Sequence, residues 1–158
     1  MRTFEGPHSI PQVFCYLRKI DPYLFEELVL TALEDSGLFV LRNTRYSADG
    51  GLDGRILFWL GRSVAVQCKR YSGPVSTGHV AVFRNLVQSA RHSAGLFVHT
   101  GQTRPATRAG FDAHNIHLVS GSTLIRLIKF GDLPIAATLR DPQNQRTTHT
   151  DSRTSTSP

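Results

Sequence analysis

The chain has 158 residues, 40% of them hydrophobic, with two cysteines and a formal net charge of +6. That length suits one domain, and Cys15 and Cys68 make neither a disulfide framework nor a C-x-x-C or Cys/His zinc spacing, as expected in a reducing cytoplasm. No apolar run nears the ~18 residues of a membrane span, and no signal peptide is expected because no apolar stretch follows Met1-Arg2-Thr3-Phe4-Glu5. The charge is uneven: residues 1–40 carry −3, residues 41–140 carry +9 and the last eighteen are neutral. A basic segment with few acids points to a polyanion, because lysine and arginine that neutralise phosphates release counterions.

In chain order, residues 9–19 read as a short helix, with Ser9 as cap and Pro11 in the first turn. Asp21-Pro22 caps a second helix whose apolar positions Phe25, Leu28, Val29, Ala32 and Leu33 repeat at helical spacing before Gly37 closes it. Strands are expected over 38–45, 53–60 and 63–71, with a turn in the Ser47–Gly51 cluster and a hairpin at Gly61-Arg62. Ser72-Gly73-Pro74 breaks the third strand. Ser76 then caps a long helix to about His92 with Val80, Phe83, Leu86, Val87 and Ala90 on one face. A buried strand over 94–100, a helix from Thr103 to about Ala113, a strand over 116–119 and a helix from Ser122 to Phe130 complete the pattern. From Asp141 the chain is polar and rich in Ser and Thr, so a disordered tail over 141–158 is expected. The order α, β, β, β, α, β, α, β, α predicts an α/β fold: an antiparallel meander continued by strands reached through helical crossovers.

The chemistry concentrates in two strings, Asp49-Gly50-Gly51-Leu52-Asp53-Gly54 and Gln67-Cys68-Lys69. Side chains alternate along a strand, so Gln67 and Lys69 share a face while Val66 and Cys68 take the other. A carboxylate, an amide oxygen and an ammonium at one sheet edge suit metal-assisted phosphodiester hydrolysis. Mg²⁺ takes hard oxygen ligands, and a lysine orients the attacking water and offsets developing charge. Asp53 is the first choice for a metal ligand, because it sits where a strand begins; Asp49 reads equally well as a turn residue.

Together with Phe25-Glu26-Glu27-Leu28-Val29, Gly37, Val66-Gln67-Cys68-Lys69-Arg70-Tyr71, Gly95-Leu96-Phe97-Val98-His99-Thr100-Gly101 and Ile116–Gly121, these strings resemble the Mrr-type restriction endonuclease domain of the PD-(D/E)xK nuclease superfamily. The resemblance covers roughly residues 20–130; residues 1–20 then form an N-terminal helical extension and 21–131 the endonuclease domain. It implies a three-layer core with a central mixed sheet flanked by helices. It also implies a Mg²⁺-dependent DNA endonuclease, with Mn²⁺ as a substitute, acting in the cytoplasm to restrict foreign or modified DNA. Asp53, Gln67, Lys69 and Glu26 are then the catalytic set. Asp53, Gln67, Glu26 and the carbonyl of Cys68 hold metal. Gln67 stands where the wider superfamily often has Glu; an amide is a weaker ligand, so Glu26 supplies the missing charge. Glu27 lies about 100° round the helix and is read as a surface acid.

Arg45, Arg55, Arg70, Tyr71, Arg104 and Arg108 are the expected DNA contacts, and surface solvation is the alternative for each arginine singly. His79 either serves the site or touches phosphate, against the plainer reading of a surface histidine. Cleavage of both strands by so small a nuclease calls for two active sites, hence an expected homodimer. Two rival functions stand beside restriction: a structure-selective nuclease acting on junctions or ends, and a non-catalytic DNA-binding module.

Overall fold

The computed structural model describes residues 9–43, 51–112 and 115–140. The helices are α1 (Ile10–Lys19), α2 (Pro22–Asp35), α3 (Thr77–Ser89), α4 (Pro105–Asp112), α5 (Gly121–Phe130) and α6 (Ala136–Arg140). The strands are β1 (Phe39–Arg42), β2 (Gly54–Leu57), β3 (Ser63–Lys69), β4 (Ala94–His99) and β5 (Ile116–Val119). They form one five-stranded sheet in the order β1-β2-β3-β4-β5. β1, β2 and β3 run antiparallel, whereas β3, β4 and β5 run parallel. The parallel pairs are reached through α3 and α4, as parallel strands require a crossover. This is the mixed sheet expected from the element order.

The side-chain period of β3 divides the core in two. Val64, Val66 and Cys68 join a cluster with Leu17, Phe25, Val29, Leu33, Leu124 and Leu127, so α1, α2 and α5 cover that face. Ala65 faces the other way, into Val80, Phe83, Val87, Phe97 and Phe111 beneath α3 and α4. The result is three layers, helix–sheet–helix. Burying β3 and β4 on both faces gives their continuous apolar runs, as in parallel sheets generally.

Helix starts follow their capping residues. Asp21 accepts from the Tyr23 N–H at 2.9 Å, and the Gln12 side chain accepts from the Ser9 N–H at 3.0 Å. The reversal between β2 and β3 differs from expectation by one residue. Its central residues are Leu60 and Gly61, both left-handed at φ 60 and 71, closed by Phe58 N–H on the Arg62 carbonyl. The strands are also shorter than expected, because pairing stops where this turn and the Asn43–Asp53 main-chain bond take over the hydrogen bonding. Ala90, expected on the buried face of α3, is instead its exposed C-cap. Helix α6 was not foreseen: five residues after Pro134 are too few to show a period. Its Ala136 and Leu139 enter the first core cluster, as do Val13 and Leu17 of α1. The packed core therefore extends past both edges of the 21–131 boundary. Thr44, Arg45, Asp49 and the tail from Asp141 lie outside the described residues.

Candidate active site

Asp53 lies at the end of the β2–β3 ladder. Its N–H donates to the Val66 carbonyl at 3.0 Å, one step beyond the Gly54–Val66 pair. Its carboxylate turns onto β3, where Oδ2 accepts the Cys68 N–H at 2.6 Å. Burial pushes the Asp53 carboxyl up to about 6; the Cys68 N–H works against that rise, the Glu26 carboxylate adds to it, and Lys69 lowers it. The electrostatics thus bring Glu26 of α2 and Lys69 of β3 to bear on one carboxylate. The neighbouring acid Glu27 goes elsewhere: it pairs with Arg42 at 3.1 Å, alongside Glu34, and pins α2 to β1. The roughly 100° between adjacent helical residues separates the two glutamates in this way.

Gln67 is buried, 5% exposed, and its amide nitrogen donates to the Gly51 carbonyl at 3.0 Å. That bond ties the loop before Asp53 to β3 and leaves the amide oxygen for a ligand. Cys68 is buried among apolar neighbours, and burial first, then the charges of Asp53 and Glu26, push its thiol well up. It is therefore a small hydrophobe whose main chain, not its sulfur, faces the chemistry. The oxygens these residues offer are the carboxylates of Asp53 and Glu26, the amide of Gln67 and the main-chain carbonyl of Cys68. All are hard donors of the kind Mg²⁺ and Mn²⁺ prefer. Among the described residues, no group of three or more His, Cys, Asp or Glu is arranged to hold a metal. A site here depends on the amide and the carbonyl.

The candidate DNA contacts divide. Arg70 donates to the Arg18 carbonyl at 2.8 Å, which binds the end of β3 to the C-terminus of α1. Arg18 in turn forks onto the Thr100 carbonyl at 2.8 and 3.1 Å. Arg70 is thus engaged in holding α1, a use that sequence alone did not signal. Arg104 and Arg108 are exposed at the start of α4, Arg55 is half-buried on β2, and Arg45 lies outside the described residues.

His99 was not singled out from the sequence. It pairs with Lys69 across β3 and β4 and is fully buried. Its Nδ1 accepts the Gly101 N–H at 3.0 Å, and Nε2 lies 3.1 Å from the Thr103 hydroxyl. Burial, helped by the charge of Arg108, lowers its pKa to about 4. It is a neutral hinge pin for the loop into α4. The only signal in the sequence was a histidine ending an apolar strand.

A five-stranded mixed sheet between two helical layers, with Asp, Gln and Lys gathered at the end of β2 and β3, is the PD-(D/E)xK nuclease fold. Residues 17–128 match the model of the Mrr_cat family, described as restriction endonuclease, and the chain belongs to that family. Solved structures agree on the fold. The restriction endonuclease MspJI, solved in complex with a 27-mer oligonucleotide, is 23% identical with a TM-score of 0.54, over 82% of this chain and 34% of that one. The DNA modification-dependent restriction endonuclease AspBHI is 21% identical with a TM-score of 0.54, over 78% of this chain and 36% of that one. A protein of unknown function, AF1548, is 15% identical with a TM-score of 0.53, over 65% and 59% of the two chains. The chain thus spans about a third of the length of the two restriction enzymes. No curated protein matches it. No helix among the described residues is long and apolar enough to cross a membrane.

Proposed function

We propose that this chain is a Mg²⁺-dependent DNA endonuclease that hydrolyses phosphodiester bonds in the restriction of foreign or modified DNA, acting in the cytoplasm. One observation carries the reading: the charges of Glu26 and Lys69 both act on the Asp53 carboxyl beside the end of β3, inside the family match, with Gln67 bound to the loop that carries Asp53. The donor set fits a hard divalent cation. Asp53, Gln67, Glu26 and the Cys68 carbonyl would hold it. The Asp53 oxygen that accepts from the Cys68 N–H keeps the carboxylate oriented and leaves its second oxygen for the ion. Bound there, Mg²⁺ or Mn²⁺ supplies Lewis acidity at the phosphoryl oxygens and lowers the pKa of a ligating water.

The chain's own residues do the rest. Lys69 is the point charge beside the scissile phosphate, where it orients water and offsets the negative charge of the transition state. Gln67 fixes the Gly51–Asp53 loop and presents a neutral oxygen, so Glu26 supplies charge that the amide lacks. Arg55, Arg104 and Arg108 take the DNA backbone, and such contacts position the duplex without reading its sequence. Two copies bring two sites to the two strands; sedimentation showing only monomer, with and without DNA, would count against this pairing.

The test is a supercoiled plasmid, unmodified and methylated, incubated with the protein and Mg²⁺, Mn²⁺ or EDTA. Nicking or linearisation with either metal and none in EDTA is the expected result. A substrate cut only when methylated would assign restriction of modified DNA. Retained, salt-sensitive binding without cutting in any metal would leave a binding module in its place.

A further inference from the structure

The alternation of β3 continues beyond its last strand residue. Arg70 reaches α1 on one side, and Tyr71 packs into the cluster beneath α3 on the other. Gln67, Lys69 and Tyr71 are therefore successive residues of one face. Tyr71 is held there from every direction. Its N–H donates to the Thr100 hydroxyl oxygen at 2.9 Å, and that hydroxyl donates back to the Tyr71 carbonyl at 3.0 Å. A Cβ on Gly101 would come within 2.6 Å of the Gly73 carbonyl oxygen and 2.7 Å of the Tyr71 Cβ, so the loop closes only around glycine. The ring meets His99 edge-on with centroids 6.0 Å apart.

The Tyr71 hydroxyl lies 2.5 Å from Nδ1 of His79, an exposed residue in the first turn of α3. Burial pushes the phenol up, which keeps its proton in place. In the tautomer in which the phenol donates to Nδ1, the imidazole carries its own proton on Nε2. Fixing one nitrogen thus turns the other into a defined donor. Exposed His79 is not part of the core, and its ring is met by a half-buried tyrosine that the core holds in place.

We propose that His79, held by Tyr71, is a DNA-binding residue whose Nε2–H donates to a phosphate oxygen of the strand lying across the Gln67–Lys69–Tyr71 face. The assignment rests on the nuclease reading above. Tyr71 is then a positioning residue for His79 and not itself a phosphate ligand.

The experiment measures cleavage kinetics in Mg²⁺ and equilibrium DNA binding in EDTA for wild type, His79→Ala, Tyr71→Phe, His79→Gln and His79→Asn. The first two variants should raise KM and Kd for DNA about tenfold, the loss of one hydrogen bond to a charged group, with kcat within about twofold. Gln carries an amide nitrogen near the place of Nε2 and should restore most of the affinity. Asn reaches only the place of Nδ1 and should not. Wild type that cuts, with KM and Kd unchanged in all four variants, overturns the assignment and leaves the pair a structural contact. A fall in kcat while KM holds overturns it as well. Wild type that binds but does not cut defeats the nuclease reading alone, and Kd then decides on His79. Wild type that does neither overturns both.

Discussion

At Asp53, burial and the Glu26 charge prevail over the Cys68 N–H and Lys69. A carboxyl raised to about 6 from 3.8 is harder to ionise in the folded chain than in the unfolded one. The folded state then binds more protons between those values, so this residue makes stability fall as pH climbs from about 4 to about 6. Metal-free Asp53→Asn, which keeps the oxygen facing the Cys68 N–H, should therefore melt higher than wild type at pH 8, with the gap closing toward pH 4. His99 has the opposite sign. Its pKa falls to about 4 from 6.5, so the unfolded chain binds the extra proton and stability drops as pH falls through that window. The two windows overlap and oppose, and Asp53→Asn should expose a steeper loss of stability below pH 6 than wild type shows. A Tm series from pH 4 to 8 on both proteins checks this; parallel curves would contradict it. Asp53, Gln67 and Lys69 were legible as a set because spacing along two adjacent strands is local. His99 was not, because β4 brings it in from far along the chain; Tyr71 and His79 were each named from the sequence, but their hydrogen bond across the turn into α3 was not.

Between elements, α3 packs closely on β4 at Gly95. A Cβ on Gly95 would lie 2.7 Å from Phe83, 2.8 Å from Val87 and 2.9 Å from Ile116. Gly95→Ala should thus destabilise by about 1–3 kcal/mol through overpacking, seen as a lower urea midpoint with an unchanged m-value. Arg18 makes the matching contact for α1. Removing its fork leaves the Thr100 carbonyl short of two donors, so Arg18→Ala should cost about 1–3 kcal/mol in the same assay. Element types and order were readable from caps, period and glycine placement. The hairpin shifted by one residue because Leu60, an L-residue with a side chain, accepts the left-handed conformation that a sequence reading assigns to glycine. Helix α6 escaped because it is shorter than two turns and draws its stability from packing, not from any pattern of its own.

Over the whole molecule, the two clusters flank a sheet whose chemically distinctive end is that of β2 and β3. The terminal helices belong to that unit: Val13 and Leu17 enter from α1, Ala136 and Leu139 from α6. A boundary at residue 20 follows the sequence resemblance and cuts through this packing. A chain lacking residues 1–20 should lose at least several kcal/mol of stability by exposing the seat of Leu17 and the Thr100 carbonyl, measurable as early chemical unfolding.

In the proposed nuclease, Asp53 and Lys69 perform phosphodiester hydrolysis while DNA binding is carried elsewhere. Single-turnover cleavage of a saturating duplex in Mg²⁺, set beside DNA affinity, tests it for wild type, Asp53→Asn and Lys69→Ala. The rate should fall at least about 10²-fold in both variants, the usual scale for removing one electrostatic group from an active site, with Kd within about threefold and native thermal unfolding retained. Cleavage at the wild-type rate in either folded variant would contradict the account.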